Sequence, residues 1–244
     1  MTTEHHVNIT ETADQSRTAF STRYQQTYHS THGAKTESMH VYVNGAGVQN
    51  RLITQKPTRV LEIGFGLGLN FLLSADLAES HACPLSYVSV EHSPIDSTLL
   101  RSLRFDTLLQ NQALIDELAT VMDCIAGSAN KPVDAPPQQR LSDLVRVNED
   151  KTEATAFATK LGACTELCLF VADASANAFA RKLETLPPFD AIYLDAFSPE
   201  HNPECWTRPF LEFLSGKLAK NGVLVTYSVR VQLVNATLYY IHKI

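Results

Sequence analysis

Three glycines set two apart, Gly64, Gly66 and Gly68, follow an apolar run and the acid Glu62 in the stretch VLEIGFGLGLNF, Val60 to Phe71. Glycine admits positive φ and has no side chain, so such a loop lets a ligand approach the backbone and the free amides that open the next helix. A dinucleotide fingerprint needs its third glycine at the sixth place, which here is Leu69; Gly68 comes one residue early. Three more acids stand where apolar runs end: Glu91 after LSYVSV, Asp173 after LCLFVA and Asp195 after AIYL. Glu91 lies about 20 residues past the glycine turn, where a strand-end carboxylate can accept from both hydroxyls of a ribose. Asp173 could accept from an adenine amino group or cap a following helix. Asp195 heads YLDAFSP, a carboxylate ahead of a proline-bearing loop. Each feature alone has a bland alternative, a packing turn or a solvated acid; it is their convergence that argues for a site.

Convergence requires elements that bring strand ends together. Apolar alternation over Thr58 to Ile63 predicts a buried strand, and the leucines and alanines of Asn70 to Glu79 have helical spacing, so the glycines sit on a strand-to-helix turn. Ser86 to Val90 reads as a second strand ending at Glu91, residues 94–126 as irregular and mostly helical, and Gly127 to Arg140 as an exposed loop. Helix-like patterns follow up to TELCLFVADA, a third strand terminating at Asp173. A fourth strand covers Ala191 to Leu194. A helix from about Pro209 to Ala219 leads through the stop Asn221-Gly222 into a fifth strand, VLVTYSV. Strands alternating with helices predict an α/β fold with a mostly parallel sheet, whose ligands bind outside the carboxyl ends of the strands.

The chain has 244 residues and a formal net charge of −6, a balance that does not advertise nucleic-acid binding. Residues 1–59 nonetheless carry a small excess of Lys and Arg and five of the nine histidines, so a nucleic-acid substrate would have to touch the front of the chain. No apolar leader opens the sequence and no run approaches the about 20 apolar residues of a membrane span. A cytoplasmic protein with no membrane partner is expected. The five cysteines form no C-x-x-C pair, which argues against a zinc cage or a disulfide framework; Cys164 and Cys168 are expected as core thiols. His29, His32 and His40 match no metal-ligand spacing, and no metal is expected. Trp206, the single tryptophan, either stacks on a base or anchors a loop.

An E-x-G-x-G-x-G turn resembles that of enzymes using S-adenosyl-L-methionine (AdoMet) and of the aminopropyltransferases similar to them. Taken with YLDAFSPEHNPECWT and YHSTHGAKTESMHVYVNGAG, it resembles the methyltransferase module of MnmC-type enzymes, which complete 5-methylaminomethyl-2-thiouridine at a tRNA wobble position; the likeness runs from about Thr12 to Ser228. The resemblance implies a Rossmann-like class I AdoMet-dependent methyltransferase fold, methyl transfer to the aminomethyl nitrogen of the modified uridine, and tRNA as partner. It implies Glu62, Gly64, Gly66, Gly68, Asn70, Glu91, Asp173 and Asp195 as the AdoMet pocket, with Asp195 catalytic, and Tyr28, His29, Ser30, Gly33, Glu37, Phe197 and Pro199 on the substrate side. Residues 1–57 are expected as an extension covering the active site of a 58–244 domain. Bifunctional relatives add an FAD oxidase; nothing of that kind follows here, so no FAD is expected.

Domains of this family continue past the fifth strand with a helix and an antiparallel hairpin, for which residues 230–244 are too few. That terminal helix and hairpin are therefore expected to be missing, with an oligomer or a partner covering the open sheet edge. Two other functions stay open: an aminopropyltransferase of the spermidine-synthase type, and a non-catalytic member binding RNA or a partner.

Overall fold

The structure, a computed structural model, describes residues 8–129, 145–146 and 154–227. The chain opens with an antiparallel meander, β1 (Asn8–Glu11), β2 (Arg17–Ser21) and β3 (Gln26–Thr27). Its first turn is organised by Asp14, whose carboxylate accepts from Thr12 Oγ1 at 2.7 Å, Ser16 N at 3.1 Å and Thr36 N at 2.9 Å. Burial opposes that charge, but these hydrogen bonds outweigh it and hold the group well below the ordinary carboxylate range. Gly33 permits the approach, since a Cβ there would stand 2.6 Å from the Asp14 carboxylate. A helical stretch follows: α1 (Ala34–Glu37), a π-helical segment (Ser38–Asn44) and α2 (Val48–Ile53).

The remaining elements build the principal sheet. They are β4 (Thr58–Ile63), α3 (Leu69–Ser80), β5 (Leu85–Glu91), α4 (Ser97–Ser102), α5 (Ala113–Ala129), β6 (Val145–Arg146), β7 (Thr155–Leu161), β8 (Thr165–Val171), α6 (Asn177–Glu184), β9 (Phe189–Leu194), α7 (Arg208–Ser215) and β10 (Leu218–Thr226). The strand order is β10-β9-β4-β5-β8-β7-β6. Strands β10, β9, β4, β5 and β8 pair in parallel, and β7 and β6 add an antiparallel margin beyond β8. This is the mostly parallel, Rossmann-like α/β sheet expected from the sequence.

Burial on both faces explains the near-continuous apolar strands. Period-two alternation sends Val60, Tyr87, Leu167, Ala191 and Tyr193 into the layer with α2, α3 and α5. It sends Leu61, Ile63, Val88, Val90, Ile192 and Leu194 to the opposite layer with α6 and α7. Each fully buried aliphatic side chain contributes about 1.5–3 kcal/mol of transfer free energy, and α3, buried on almost every side, is the hub of the first layer.

Several expectations need correcting. The helix-like stretch before the third strand is, over Thr155–Leu161, strand β7, paired antiparallel with β8. A tight turn through Gly162, at φ +61°, joins them, and the Glu79 carboxylate accepts Ala163 N and Cys164 N at 2.8 Å each. Helix α7 ends at Ser215, and Asn221-Gly222 falls in an irregularity inside β10, whose pairing with β9 has already begun at Leu218 opposite Phe189. Cys83 and Cys205 are the buried thiols; Cys164 and Cys168 are only partly buried. Most of the expected loop at Gly127 to Arg140, and the question of a terminal helix and hairpin after 230, lie outside the described residues. Among the described residues no helix is long and apolar enough to cross a membrane.

Candidate active site

The sheet order reverses at β4, with β5 and β8 on one side and β9 and β10 on the other. A crevice outside the carboxyl ends of strands is expected where such a reversal occurs. An open cavity, about 930 Å³ counting the solvent at its mouth, lies there, lined by the turn after β4 (Gly64, Phe65, Gly66), by Glu91 and His92 after β5, by Asp173 after β8 and by Asp195 and Phe197 after β9.

The glycine loop is shaped by close packing. Gly64, Gly66 and Gly68 all adopt positive φ, at +91°, +53° and +80°. A Cβ on Gly64 would stand 2.7 Å from the Asp195 carbonyl oxygen, one on Gly66 3.1 Å from the Tyr28 ring, and one on Gly68 2.9 Å from the Phe65 ring. Gly64 and Gly66 line the cavity, whereas Gly68 stands behind it as the residue before α3. Glu91 folds back onto the loop: Gly66 N donates to its Oε2 at 3.0 Å and Ser93 N to its Oε1 at 2.8 Å. Asp173 accepts from Ser175 N and Oγ at 2.8 and 2.7 Å; α6 begins after Ala176, so Asp173 is not its cap.

Asp195 sits at the floor. Its backbone N donates to Ile63 O at 2.9 Å, continuing the β4–β9 ladder. Asn70 Nδ2, from the first turn of α3, donates to Asp195 Oδ2 at 2.8 Å and to Glu62 Oε1 at 3.0 Å, so one amide ties two carboxyls together. Tyr42 donates its hydroxyl to Asp195 Oδ1. Asp195 keeps one side open to the cavity, yet its surroundings are dense: desolvation pushes its carboxyl well above the usual range, reinforced by the Glu62 and Glu37 charges, despite the bonds from Tyr42 and Asn70. Glu62, 1% exposed, lies behind Asn70; burial raises it to about 8 against hydrogen bonds from Asn70 and Ser89.

The amino-terminal segment closes one side. Tyr28, His29 and the rim residues Arg23, Tyr24 and Gln26 line the cavity. Tyr24 stacks on Phe197 with ring centroids 4.3 Å apart, and Tyr28 meets Phe197 edge-on at 5.1 Å. His29 is buried against Thr18, and desolvation lowers it to about 4, so its imidazole is neutral. Ser30, Gly33, Glu37 and Pro199 are not in the lining; Glu37 instead accepts Ser30 N at 2.6 Å. Trp206 is a loop anchor: its Nε1 donates to Phe197 O at 2.8 Å and holds the aromatic rim.

Sequence reasoning missed Tyr42, Gln26 and Tyr227. Tyr227 follows β10 at its carboxyl end and donates to Ala196 O at 3.0 Å, so the strand-end rule that found Asp195 could have found it. Nothing local marks Tyr42, because a π-helical turn carries no propensity signature.

Among the described residues, four lining carboxylates, Glu91, Asp173, Asp195 and Glu204, face a single Lys or Arg, Arg23. That balance suits a cationic ligand. Asn70 is 2% exposed and its Oδ1 accepts no hydrogen bond from the described residues, leaving a buried acceptor for a ligand N–H. Both features fit AdoMet, with its sulfonium and amino groups. Among the described residues no cluster of His, Cys, Asp or Glu could hold a metal ion.

Residues 141–241 match a protein family described as S-adenosyl-L-methionine-dependent methyltransferase. The chain is 31% identical over 87% of its length to the tRNA 5-methylaminomethyl-2-thiouridine biosynthesis bifunctional protein MnmC of Acidovorax sp., covering 29% of that protein. It is likewise 31% identical to the protein of the same name from Ralstonia nicotianae, over 86% of this chain and 28% of the relative. The chain thus spans under a third of the length of these curated relatives. A crystal structure of MNMC2 from Aquifex aeolicus superposes with a TM-score of 0.62 at 22% identity, covering 93% of this chain and 61% of that one. The resemblance to an MnmC-type methyltransferase module, and the fold it implied, are borne out.

Proposed function

We propose that this chain transfers a methyl group from AdoMet to the aminomethyl nitrogen of 5-aminomethyl-2-thiouridine at a tRNA wobble position, in the cytoplasm. The observation that carries the proposal is the convergence of the glycine turn, Glu91, Asp173 and Asp195 on one acid-rich cavity beside a buried, unsatisfied Asn70 oxygen. Similarity to MnmC proteins supplies the substrate class.

When bound, AdoMet supplies an electrophilic methyl on a sulfonium. The chain's own residues bind and orient. Glu91 accepts from the ribose hydroxyls, Asp173 from the adenine amino group, and the Gly64–Gly66 backbone together with Asn70 Oδ1 receives the methionine end. Tyr28 and Phe197 border the base of the acceptor uridine, whose ring can stack on aromatic side chains; residues 1–57 serve as the cover of a 58–244 domain.

An alkylamine, with a pKa near that of lysine at about 10.4, arrives as ammonium and must lose a proton before its lone pair can attack. Asp195 holds the amine N–H and takes that proton, a task matched to a carboxylate whose proton affinity burial has increased. Positioning of amine against methyl supplies the rest.

The test is titration of the full chain with AdoMet, followed by nucleoside mass analysis of undermodified tRNA incubated with both. Binding together with the gain of one methyl supports the proposal. A gain of an aminopropyl group from decarboxylated AdoMet, or RNA binding indifferent to AdoMet, overturns it.

A further inference from the structure

Asp195 is the group on which the chemistry turns, yet no neighbour in sequence orients its carboxyl. One oxygen takes the Asn70 amide at 2.8 Å and the other takes the hydroxyl of Tyr42, a residue 1% exposed whose ring lies 5.4 Å from that of Tyr193. Burial, with the adjacent Asp195 charge, raises the Tyr42 hydroxyl well above its ordinary value, so it stays protonated and can only donate. Tyr42 comes from the π-helical segment Ser38–Asn44, where Gly45 N reaches back to His40 O at 3.1 Å across a widened turn. Such turns occur often at functional sites.

We propose that Tyr42 is a positioning residue for methyl transfer: its hydroxyl fixes one oxygen of Asp195, so that the carboxylate presents its remaining lone pairs to the acceptor amine. This rests on the methyltransferase reading above. Other titratable groups also face Asp195. Glu62 stands behind Asn70 on β4, Glu37 approaches from α1, Tyr227 from the end of β10 and Tyr87 from β5. Glu62 and Glu37 are acids and favour the neutral form of Asp195. Tyr42, with Asn70, opposes them by donating to the charged form.

The experiment compares kcat against pH for the wild-type chain, Tyr42→Phe, and a chain carrying difluorotyrosine at position 42, with AdoMet affinity measured for each. Phenylalanine keeps the ring and deletes the donor; fluorination makes the donor stronger. Loss of a hydrogen bond to a charged group raises the Asp195 pKa, so the acid limb of Tyr42→Phe moves up by about one to two pH units. The difluorotyrosine chain moves the limb the opposite way, and AdoMet affinity stays within about threefold in both. An acid limb unmoved in the variants overturns the proposal, as does a uniform loss of rate with no change of pH profile. If Tyr42→Phe fails to fold, the fluorinated chain decides alone. An inactive wild-type chain would instead overturn the methyltransferase reading, so the two failures are distinct.

Discussion

At the Glu91–Asp173 end of the cavity, the carboxylates are held by groups close at hand. Ser93 N serves Glu91, Ser175 serves Asp173, and the longer reach to Glu91 is from the glycine loop next door. At the Asp195 end the side-chain partners are remote in sequence, Tyr42 from the amino-terminal segment and Asn70 from α3, with Glu62 coupled through the same amide. The first end is a rim whose acids follow from the folding of their own loops; the second exists only when three distant elements are assembled. The comparison separates recognition from chemistry: locally held acids at the mouth suit ligand hydroxyl and amino groups, while the assembled end has the perturbed proton affinity that chemistry needs.

The sharpest way to break that division is Asp195→Asn. It should cut methyl transfer by about 10³-fold while AdoMet affinity changes little, because proton transfer is lost and shape is kept. A variant with wild-type turnover would remove the chemical role from this end. Glu91→Ala should do the converse, weakening AdoMet binding by about 10- to 100-fold with little change in kcat at saturation. A collapse of kcat with binding intact would erase the distinction.

Glu62 sharpens the comparison through stability. Its folded pKa of about 8 lies above the ordinary 4.5, so the folded state binds the extra proton between those values. Its stabilising contribution is complete below the lower value and is lost as pH rises through the upper one. Chemical denaturation from pH 5 to 9 should show stability falling by on the order of 4 kcal/mol, and Glu62→Gln should flatten that slope. An unchanged slope would remove Glu62 as its source. Asp173→Ala, at an exposed rim position, should weaken AdoMet binding by only about threefold, and a larger loss would mark Asp173 as more than a peripheral acceptor.

The same local-versus-assembled contrast governs how much could be read from sequence. Strands β4, β5 and β9, helix α3 and the strand-end acids were legible because their signals lie within a few residues: apolar alternation, glycine spacing, a carboxylate where the run stops. Strand β7 was not, because TAFATKL has the alanine and lysine content of a helix and becomes a strand only through pairing with β8. Asn221-Gly222 was read as the stop of a helix that had already ended at Ser215; the pair interrupts β10 instead, which only its pairing with β9 reveals. Glu62 was read as a pocket residue from its place in the motif, and only the fold reveals that Asn70 stands between it and the cavity. Tyr42 needed both the π-helical turn and the packing of that segment against α3 and β10, neither of which a local pattern encodes.

The widened turn at Ser38–Asn44 also makes the site sensitive to counting. A π-helical turn holds one residue more than the α-helical turn it replaces, and each residue of an α-helix advances about 100° around the axis. Deleting a single residue between Gly33 and Val41 would let the segment rewind as a regular helix, its i→i−5 backbone bonds replaced by i→i−4 ones and its composition almost unchanged. Tyr42 would then swing roughly a quarter-turn away from Asp195. Descendants of this sequence can exchange the exposed His40 and Asn44 with modest consequences, but the segment's length is under a separate constraint that substitution alone does not expose.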